Sequence, residues 1–158
     1  MRRTLTALII ALLAISLSGC GAGTNAATRN TNQVTDGVEA AITADGIKIK
    51  LVNILVVATT EGAGVLVGTI VNSMPDEDAL LGIAINGQVA TVTGSNSLMQ
   101  NKPIIFEGPS TNAKAVVATL GATAGQNVQV TMFFARAGEV NVKAIIRDQR
   151  DTYAGITA

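Results

Sequence analysis

The 158-residue chain lacks histidine and tryptophan, contains one cysteine, and is only 3% aromatic. Without histidine, the Ser-His and Cys-His pairs of nucleophilic catalysis cannot form. General acid–base chemistry near neutral pH would need a carboxylate or a lysine with a strongly shifted pKa. A lone cysteine cannot form a disulfide within the chain. We therefore expect a protein that is not an enzyme and whose core consists of aliphatic side chains.

An excess of charge of one sign is missing as well. The chain contains 11 basic and 11 acidic residues. The basic residues form neither the clusters that bind nucleic acid nor a polybasic patch for anionic lipid. We therefore expect no nucleic-acid partner.

The N-terminus carries the pattern of a secretory signal. Arg2 and Arg3 precede a 13-residue, mostly apolar run (5–17), which ends in Leu17-Ser18-Gly19-Cys20. Positive charge, a short apolar stretch and small residues follow one another in this order in export signals. The alternative is a retained membrane anchor, but crossing a bilayer takes roughly 20 helical residues.

The four residues that close this signal resemble the lipobox of bacterial lipoproteins. The resemblance implies that residues 1–19 are a lipoprotein signal peptide, and that Cys20 takes up a diacylglyceryl group and becomes the new N-terminus. It also implies anchoring to the outer face of the bacterial cytoplasmic membrane. Each buried CH₂ of the lipid contributes about 0.8 kcal/mol. This covalent lipid is the only non-protein group that we expect.

The remaining chain divides by composition into three parts. Residues 21–37 are small and polar, which predicts a flexible tether over residues 20–45. Residues 46–147 carry the apolar runs of one domain. Residues 148–158 turn polar again and are predicted to be a loosely held tail.

The middle part has the pattern of an all-β domain. About eight short runs alternate between apolar and polar side chains or are β-rich throughout. Asn86-Gly87 and Ala137-Gly138 lie between such runs and predict two hairpins. Strands at this spacing favour an immunoglobulin-like or cupredoxin-like β-sandwich. The runs cover residues 47–58, 65–71, 80–85, 88–93, 103–106, 113–120, 128–136 and 140–147.

Several segments resemble the periplasmic copper chaperones of the PCuAC type, and small actinobacterial lipoproteins that share this domain. They are Pro75–Gly82 with Asn86–Val89, and Ala124–Val128 with Phe133–Val142. The resemblance covers about residues 46–147 and implies the β-sandwich of that family.

The same resemblance does not extend to the metal ligands. The copper family binds its metal with a His-x-Met pair and further His and Met residues in loops. Counting from Asn86-Gly87, the first pair would fall near Val92 and Gly94, and the second stretch near Ala113–Val116. Neither place contains a ligand in this chain.

Other residues are candidates for a metal site. Met74 and Met99 lie in predicted loops, and thioethers suit Cu(I). Asp76 and Asp78 flank Glu77, and carboxylates suit Ca²⁺. The alternative for the acidic residues is turn chemistry, in which Asp78 accepts a backbone N–H bond at the start of the next strand.

An exposed apolar surface is a second kind of candidate. In the predicted register Phe133, Ile145, Leu66 and Ile70 point away from the core, whereas Met132 points into it. A contiguous patch of exposed apolar residues would indicate a partner site. The alternatives are that such residues are scattered, or that the predicted register is wrong.

These observations favour a lipid-anchored protein of the cell envelope that carries a non-catalytic binding or interaction domain. Its partners would be the membrane, through the lipid at Cys20, and an unknown envelope protein or ligand. The alternative is a divergent metal-handling lipoprotein of the copper chaperone type, with Met74 and Met99 as candidate ligands.

Overall fold

A computed structural model describes residues 36–44 and 46–158. This part of the chain forms eleven strands and a single 3₁₀ turn at Asp151–Tyr153. The strands are β1 (Val38–Ala44), β2 (Ile47–Ala58), β3 (Gly64–Asn72), β4 (Asp78–Ile85), β5 (Gln88–Val89), β6 (Thr91–Gly94), β7 (Ser97–Leu98), β8 (Ile104–Phe106), β9 (Ala113–Val117), β10 (Asn127–Phe134) and β11 (Gly138–Asp148). The signal peptide and Cys20 lie outside the described residues.

The strands form one sheet that folds over on itself in the order β5-β4-β10-β11-β2-β3-β8-β9-β6. β1 and β11 pair with different parts of the same edge of β2, and β7 pairs with β4. Only Ala90 separates β5 from β6, which lie at opposite ends of this order. The layers enclose one main core, which confirms the predicted all-β sandwich.

The period of two along β10 and β11 decides which side chains enter that core. Val128, Val130, Met132 and Phe134 are buried, and the residues between them are exposed or half-buried. Each fully buried side chain of this size contributes about 1.5–3 kcal/mol. The prediction that Met132 belongs to the core is confirmed.

Both predicted hairpins are present. Asn86 and Gly87 have φ angles of 52° and 76°, and Ile85 pairs with Gln88 across them. Positive φ at both central residues is the requirement of a type I′ turn. The second hairpin joins β10 to β11, and Gly138 has a φ of 76° where β11 begins.

The strand count differs from the eight that the sequence predicts. The predicted run 88–93 is divided at Ala90, because β5 pairs with β4 whereas β6 pairs with β9. β7 is a two-residue strand inside a segment with no apolar period. β1 is the third addition.

β1 also moves the start of the domain. Residues 38–44 were predicted to be part of the tether, but they pair with β2 from Ile47 to Ile54. Val38, Ala40 and Ile42 pack against the main core. Their alternation has the period of a strand, but the small alanines weaken the signal.

The predicted tail is similarly attached. Ile156 is buried in a second, smaller cluster with Leu55, Val57 and Val65. This cluster lies on the face of β2 and β3 that points away from the main core. The residues from Gln149 to Ala158, which we call the strap, therefore cover part of the sheet.

The prediction that Leu66 and Ile70 point outward is wrong. Both are fully buried in the main core. β3 is apolar on both faces: Leu66 faces the main core, and the opposite face is covered by the strap. Ile145 is only partly buried and packs against the smaller cluster, whereas Phe133 is exposed as predicted.

A bulge bends β2 at Asn53 and Ile54, which together lie opposite Gly68 of β3. Asn53 has a φ of 55°. A Cβ on Gly68 would come within 2.5 Å of Ile54 Cδ1, and its φ of +145° is one that other residues rarely adopt. Glycine is therefore needed for the close approach of the two strands.

Candidate functional site

Asp78 joins the loop before β4 to the turn between β10 and β11. Its Oδ1 accepts hydrogen bonds from the backbone N–H groups of Ala79, at 2.7 Å, and Arg136, at 2.9 Å. Its Oδ2 accepts a third, from Ala137 N–H, at 2.9 Å. The carboxylate is buried. The hydrogen bond from Ala79 N–H is the one that the sequence predicts as the alternative to a metal site.

Asp76 lies on the surface beside this buried carboxylate. Its Oδ2 accepts a hydrogen bond from Arg136 Nη2 at 3.0 Å, and Arg136 Nη1 donates to the carbonyl oxygen of Glu77 at 3.2 Å. Both members of the ion pair are well exposed, so that it contributes about 0–1 kcal/mol. We call Asp76, Asp78 and Arg136 the clasp.

The two candidate methionines occupy different environments. Met74 is half-buried, and its N–H donates to Asn72 Oδ1 at 2.9 Å. It lines a narrow pocket of about 10 Å³ together with Asp76, Asp78 and Arg136. Met99 does not line that pocket. It is 42% exposed, and its Sδ accepts a hydrogen bond from Lys102 Nζ at 3.6 Å.

The two stretches at which the resemblance would place copper ligands are neighbours in the structure. In the antiparallel pair of β6 and β9, Val92 lies opposite Ala115 and Gly94 lies opposite Ala113. The fold thus brings the two stretches together, with side chains that cannot ligate copper. Among residues 36–44 and 46–158, no three His, Cys, Asp or Glu side chains are grouped as metal ligands would be.

An apolar surface lies on the outer side of β4, β5 and β10. Val89 is 85% exposed, Leu81 is 68% exposed and Phe133 is 40% exposed. Val89 pairs with Ala84, and Phe133 pairs with Gly82, so that their side chains share the face opposite to the core. We call this surface the β4–β10 face.

A bulge and a glycine shape the β4–β10 face. Phe133 lies opposite Gly82 and Phe134 lies opposite Leu80, which leaves Leu81 without a cross-strand partner. A Cβ on Gly82 would touch nothing within 4 Å, so the space beside the Phe133 ring is open. The period of two along β10 predicts that Phe133 is exposed. The bulge interrupts the alternation along β4, so that the sequence does not predict the exposure of Leu81.

A row of polar side chains borders the β4–β10 face on the side of β11. Asn141 Oδ1 accepts hydrogen bonds from Gln129 Nε2 at 2.7 Å and Thr131 Oγ1 at 2.6 Å. Asn141 Nδ2 donates to Glu139 Oε1 at 2.6 Å. An apolar centre with a polar rim is the usual anatomy of a protein interface.

Tyr153 belongs to a third group, at the point where the described domain begins. Its hydroxyl donates to Asp36 Oδ2 at 2.9 Å, and Arg147 Nη2 donates to Asp36 Oδ1 at 3.1 Å. Burial, together with the hydrogen bond to Asp36, raises the pKa of Tyr153 to about 12. This contact ties the strap to Asp36, two residues before β1.

Within the described residues, no helix is long and apolar enough to cross a membrane. No family model matches the chain. Solved structures that it resembles include PCuAC domains. The apo domain from PmoF1 has a TM-score of 0.56 and 18% identity, covering 69% of this chain and 99% of that domain. The copper-bound domain from PmoF2 gives the same score and identity, covering 69% and 98%. These likenesses show the fold.

Sequence relatives carry the comparison further. The protein named "Putative lipoprotein LpqE" of Mycobacterium tuberculosis is 33% identical over 152 residues, which cover 84% of this chain and 82% of LpqE. The protein of the same name from Mycobacterium bovis matches equally well. The chain therefore belongs to the LpqE family of lipoproteins, and its domain has the PCuAC fold.

Proposed function

We propose that this lipoprotein is a non-catalytic binding module of the cell envelope, and that a partner protein docks on the β4–β10 face. The proposal depends on one observation above all, the exposure of Leu81, Val89 and Phe133 on the outer side of three neighbouring strands. Scattered exposed apolar residues are normal, but a contiguous patch with a polar border is typical of a partner site.

The geometry of the face supports a few dominant contacts. The open space beside Phe133, above Gly82, can accept an apolar side chain of the partner. Complete burial of Phe133 or Leu81 would contribute about 1.5–3 kcal/mol each. Aromatic residues at the centre of an interface, surrounded by weaker polar contacts, often dominate binding.

The proposal includes the address of the module. Cys20 would carry the lipid and hold the protein at the outer face of the cytoplasmic membrane, with no other cofactor required. Residues 20–35 then separate the anchor from the domain. A fully extended chain of that length spans roughly 55 Å, so that the module can reach partners well above the lipid surface.

Photo-crosslinking in living cells tests the docking surface. The full chain, with p-benzoylphenylalanine in place of Phe133, is expressed in the native bacterium and irradiated. We expect a discrete crosslinked protein that is absent when the same group replaces Thr119, an exposed residue between β9 and β10. The introduction of Leu81→Ser into the Phe133 crosslinking variant should weaken that product without unfolding the domain.

The outcome that contradicts the proposal is equally clear. If Phe133 and Thr119 give the same products, or if Leu81→Ser leaves the Phe133 product unchanged, the β4–β10 face is not the docking surface. Denaturation of the Leu81→Ser variant provides the folding control. Because Leu81 is well exposed, the free energy of unfolding should change by no more than about 0.5 kcal/mol.

A second candidate is metal handling, which is favoured by the fold that the chain shares with the copper-bound PCuAC domain from PmoF2. Its donors here would be Met74 and Met99, since Asp78 already accepts three N–H groups. A competition titration with Cu(I), on the wild type and the Met74→Ala/Met99→Ala variant, tests it. Binding tighter than micromolar that the variant loses would support metal handling, and equal affinity of the two proteins would exclude these donors.

A further inference from the structure

The strap has few attachments to the rest of the domain. Ile156 fills the small apolar cluster, Tyr153 bonds to Asp36, and Gln149 Oε1 accepts a hydrogen bond from Thr60 N–H at 3.1 Å. Gln149 Nε2 donates to Ile156 O at 2.6 Å. Within the described residues, no backbone–backbone hydrogen bond connects the strap to a strand other than the end of β11 that precedes it.

An open cleft of about 490 Å³ lies beside the strap, and we call it the strap cleft. One wall is the strap itself, and the other is formed by the bulge in β2, by β3 and by the turn after β8. A cleft of this size lies within the range of small-ligand sites. Its lining includes Asn53, Val67, Glu107, Tyr153 and Ile156.

The apolar and the charged parts of this lining are separate. Val67, Tyr153 and Ile156 pack against the smaller apolar cluster, so that they present hydrocarbon surface. Glu107 is the only ionised residue among the lining residues. The strap cleft therefore offers an apolar body site next to a single negative charge.

The side chain of Glu107 is mostly covered by protein but still reaches solvent. Its side chain is only 19% exposed. In the described part of the chain, its sole partner is Lys114 Nζ at 3.9 Å, which is beyond hydrogen-bond distance. Lys114 lines two neighbouring clefts and not this one, whereas Glu107 lines both the strap cleft and one of those neighbours. Burying a charge is costly unless it is paired and hydrogen-bonded.

Two residues other than glycine that line the strap cleft have a positive φ. Asn53 and Glu107 have φ angles of 55° and 66° without being glycines. Such residues persist where the surrounding structure holds them, and they cluster at binding sites. At Asn53 the bulge in β2 explains the angle, whereas Glu107 is the first residue after β8, in the turn that leads to β9.

We propose that the strap cleft binds a small amphipathic cation. An alkyl body packs on Val67, Tyr153 and Ile156, and an ammonium group donates hydrogen bonds to Glu107. This site is separate from the β4–β10 face, so that either proposal can fail without the other. The ammonium group supplies the N–H donors that Lys114 is too distant to supply.

The single tyrosine of the chain is a built-in probe for this site. The mature, lipidated full chain is produced with 3-fluorotyrosine, placed in phosphatidylcholine nanodiscs, and observed by ¹⁹F NMR. The probes are n-butylammonium, 1-butanol and pentanoate, which have similar alkyl bodies and differ in charge. We expect a saturable shift with n-butylammonium, roughly tenfold weaker binding of 1-butanol, and no binding of pentanoate.

Matched variants assign the charge preference to Glu107. Glu107→Gln should bind n-butylammonium no better than 1-butanol, whereas Glu139→Gln, on the outer side of β11, should bind like the wild type. An unchanged n-butylammonium affinity in Glu107→Gln overturns the proposal. So do equal affinities of the wild type for all three probes, or the absence of a saturable shift.

A second variant covers the case in which Glu107→Gln does not fold, as judged by its ¹⁹F signal without ligand. Lys114→Met removes the competing cation on the other side of Glu107. We expect it to bind n-butylammonium several-fold more tightly than the wild type does. Equal or weaker binding would then contradict the proposal.

Discussion

The clasp and the strap both join segments that are distant in sequence, but they do so with different chemistry. In the clasp, the buried carboxylate of Asp78 accepts three backbone N–H groups, one from the start of β4 and two from the turn between β10 and β11. The strap is held differently: Tyr153 of the strap and Arg147 at the end of β11 both donate to the well-exposed carboxylate of Asp36. Backbone donors are fixed by the strands on either side of them, whereas side-chain donors must also be ordered.

This difference predicts how the two ends of the domain respond to change. At the clasp, both carboxylate oxygens of Asp78 accept hydrogen bonds from the protein's own backbone, and these bonds hold the turn after β10 to the start of β4. At the strap, one buried isoleucine and a few side-chain bonds hold a segment over an apolar face. Elements with few buried contacts and exposed hydrogen bonds open at a lower free energy than the core does.

Asp78→Ala should have the largest effect. It leaves the N–H groups of Ala79, Arg136 and Ala137 without their acceptor, and each unsatisfied buried donor costs about 1–3 kcal/mol. Since water can reach part of this turn, we expect a loss of about 2–4 kcal/mol in urea denaturation. A loss below that of a strap variant such as Ile156→Ala would remove the basis of the comparison.

Ile156→Ala should rank second and act locally. Removal of a buried isoleucine side chain costs about 2–5 kcal/mol when the site cannot relax, and the strap can relax, so that we expect about 1–2 kcal/mol. Amide hydrogen exchange should speed up in the strap and on the adjoining residues of β2 and β3. Ile146→Ala in the main core is the control, and it should speed up exchange throughout the sheet.

The titration of Tyr153 should weaken the strap at high pH. Its pKa is raised from 10.0 to about 12, first by burial and then by Asp36. A raised pKa in the folded state means that the associated stability is complete below pH 10 and is lost as the pH rises through 12. Tyr153→Phe should remove this part of the pH dependence. The measurement is the difference in the free energy of unfolding between the wild type and the variant at each pH, in which the contribution of the lysines cancels.

Tyrosinate absorbance gives the same pKa directly, since the chain has one tyrosine and no tryptophan. In Asp36→Asn we expect the midpoint of the Tyr153 titration to move down toward 10. The substitution removes the negative charge beside the hydroxyl and leaves it a weaker hydrogen-bond acceptor. A midpoint near 10 in the wild type would mean that the contact between Tyr153 and Asp36 does not hold the strap in solution.

Asp76→Asn should have the smallest effect, although Asp76 lies beside Asp78. Its ion pair with Arg136 is exposed, and such pairs contribute about 0–1 kcal/mol. We expect a change of no more than about 0.5 kcal/mol in urea denaturation, and less in 1 M salt. A change as large as that of Asp78→Ala would show that the clasp acts as one unit.

What the sequence predicted well depends on local pattern. The period of two placed Val130 and Met132 in the core, and Asn86-Gly87 placed a turn, because both signals act over a few residues. The hydrogen bond from Ala79 N–H to Asp78 is also predicted by the sequence, because the two residues are adjacent. Its other donors, at Arg136 and Ala137, are 58 and 59 residues away and left no local trace.

What the sequence predicted poorly depends on which layer covers a strand. The direction of Leu66 was wrong because β3 is apolar on both faces, and no local signal says that Ile156 covers the other one. Leu81 was missed because a bulge changes the alternation along β4. The positions near Val92 and Ala115 do meet, but this follows from the resemblance to a family and not from the residues themselves.

The parallel pairing of β11 with β2 also sets the order in which the domain can form. Val56, in the first half of the chain, must wait for Ile146, near its end, before its free edge is covered. Contacts of such large sequence separation slow folding, because the loop between them must close first. In a chain that emerges N-terminus first, the sheet therefore cannot be completed until β11 has followed. The chain stays incompletely folded for most of its passage across a membrane.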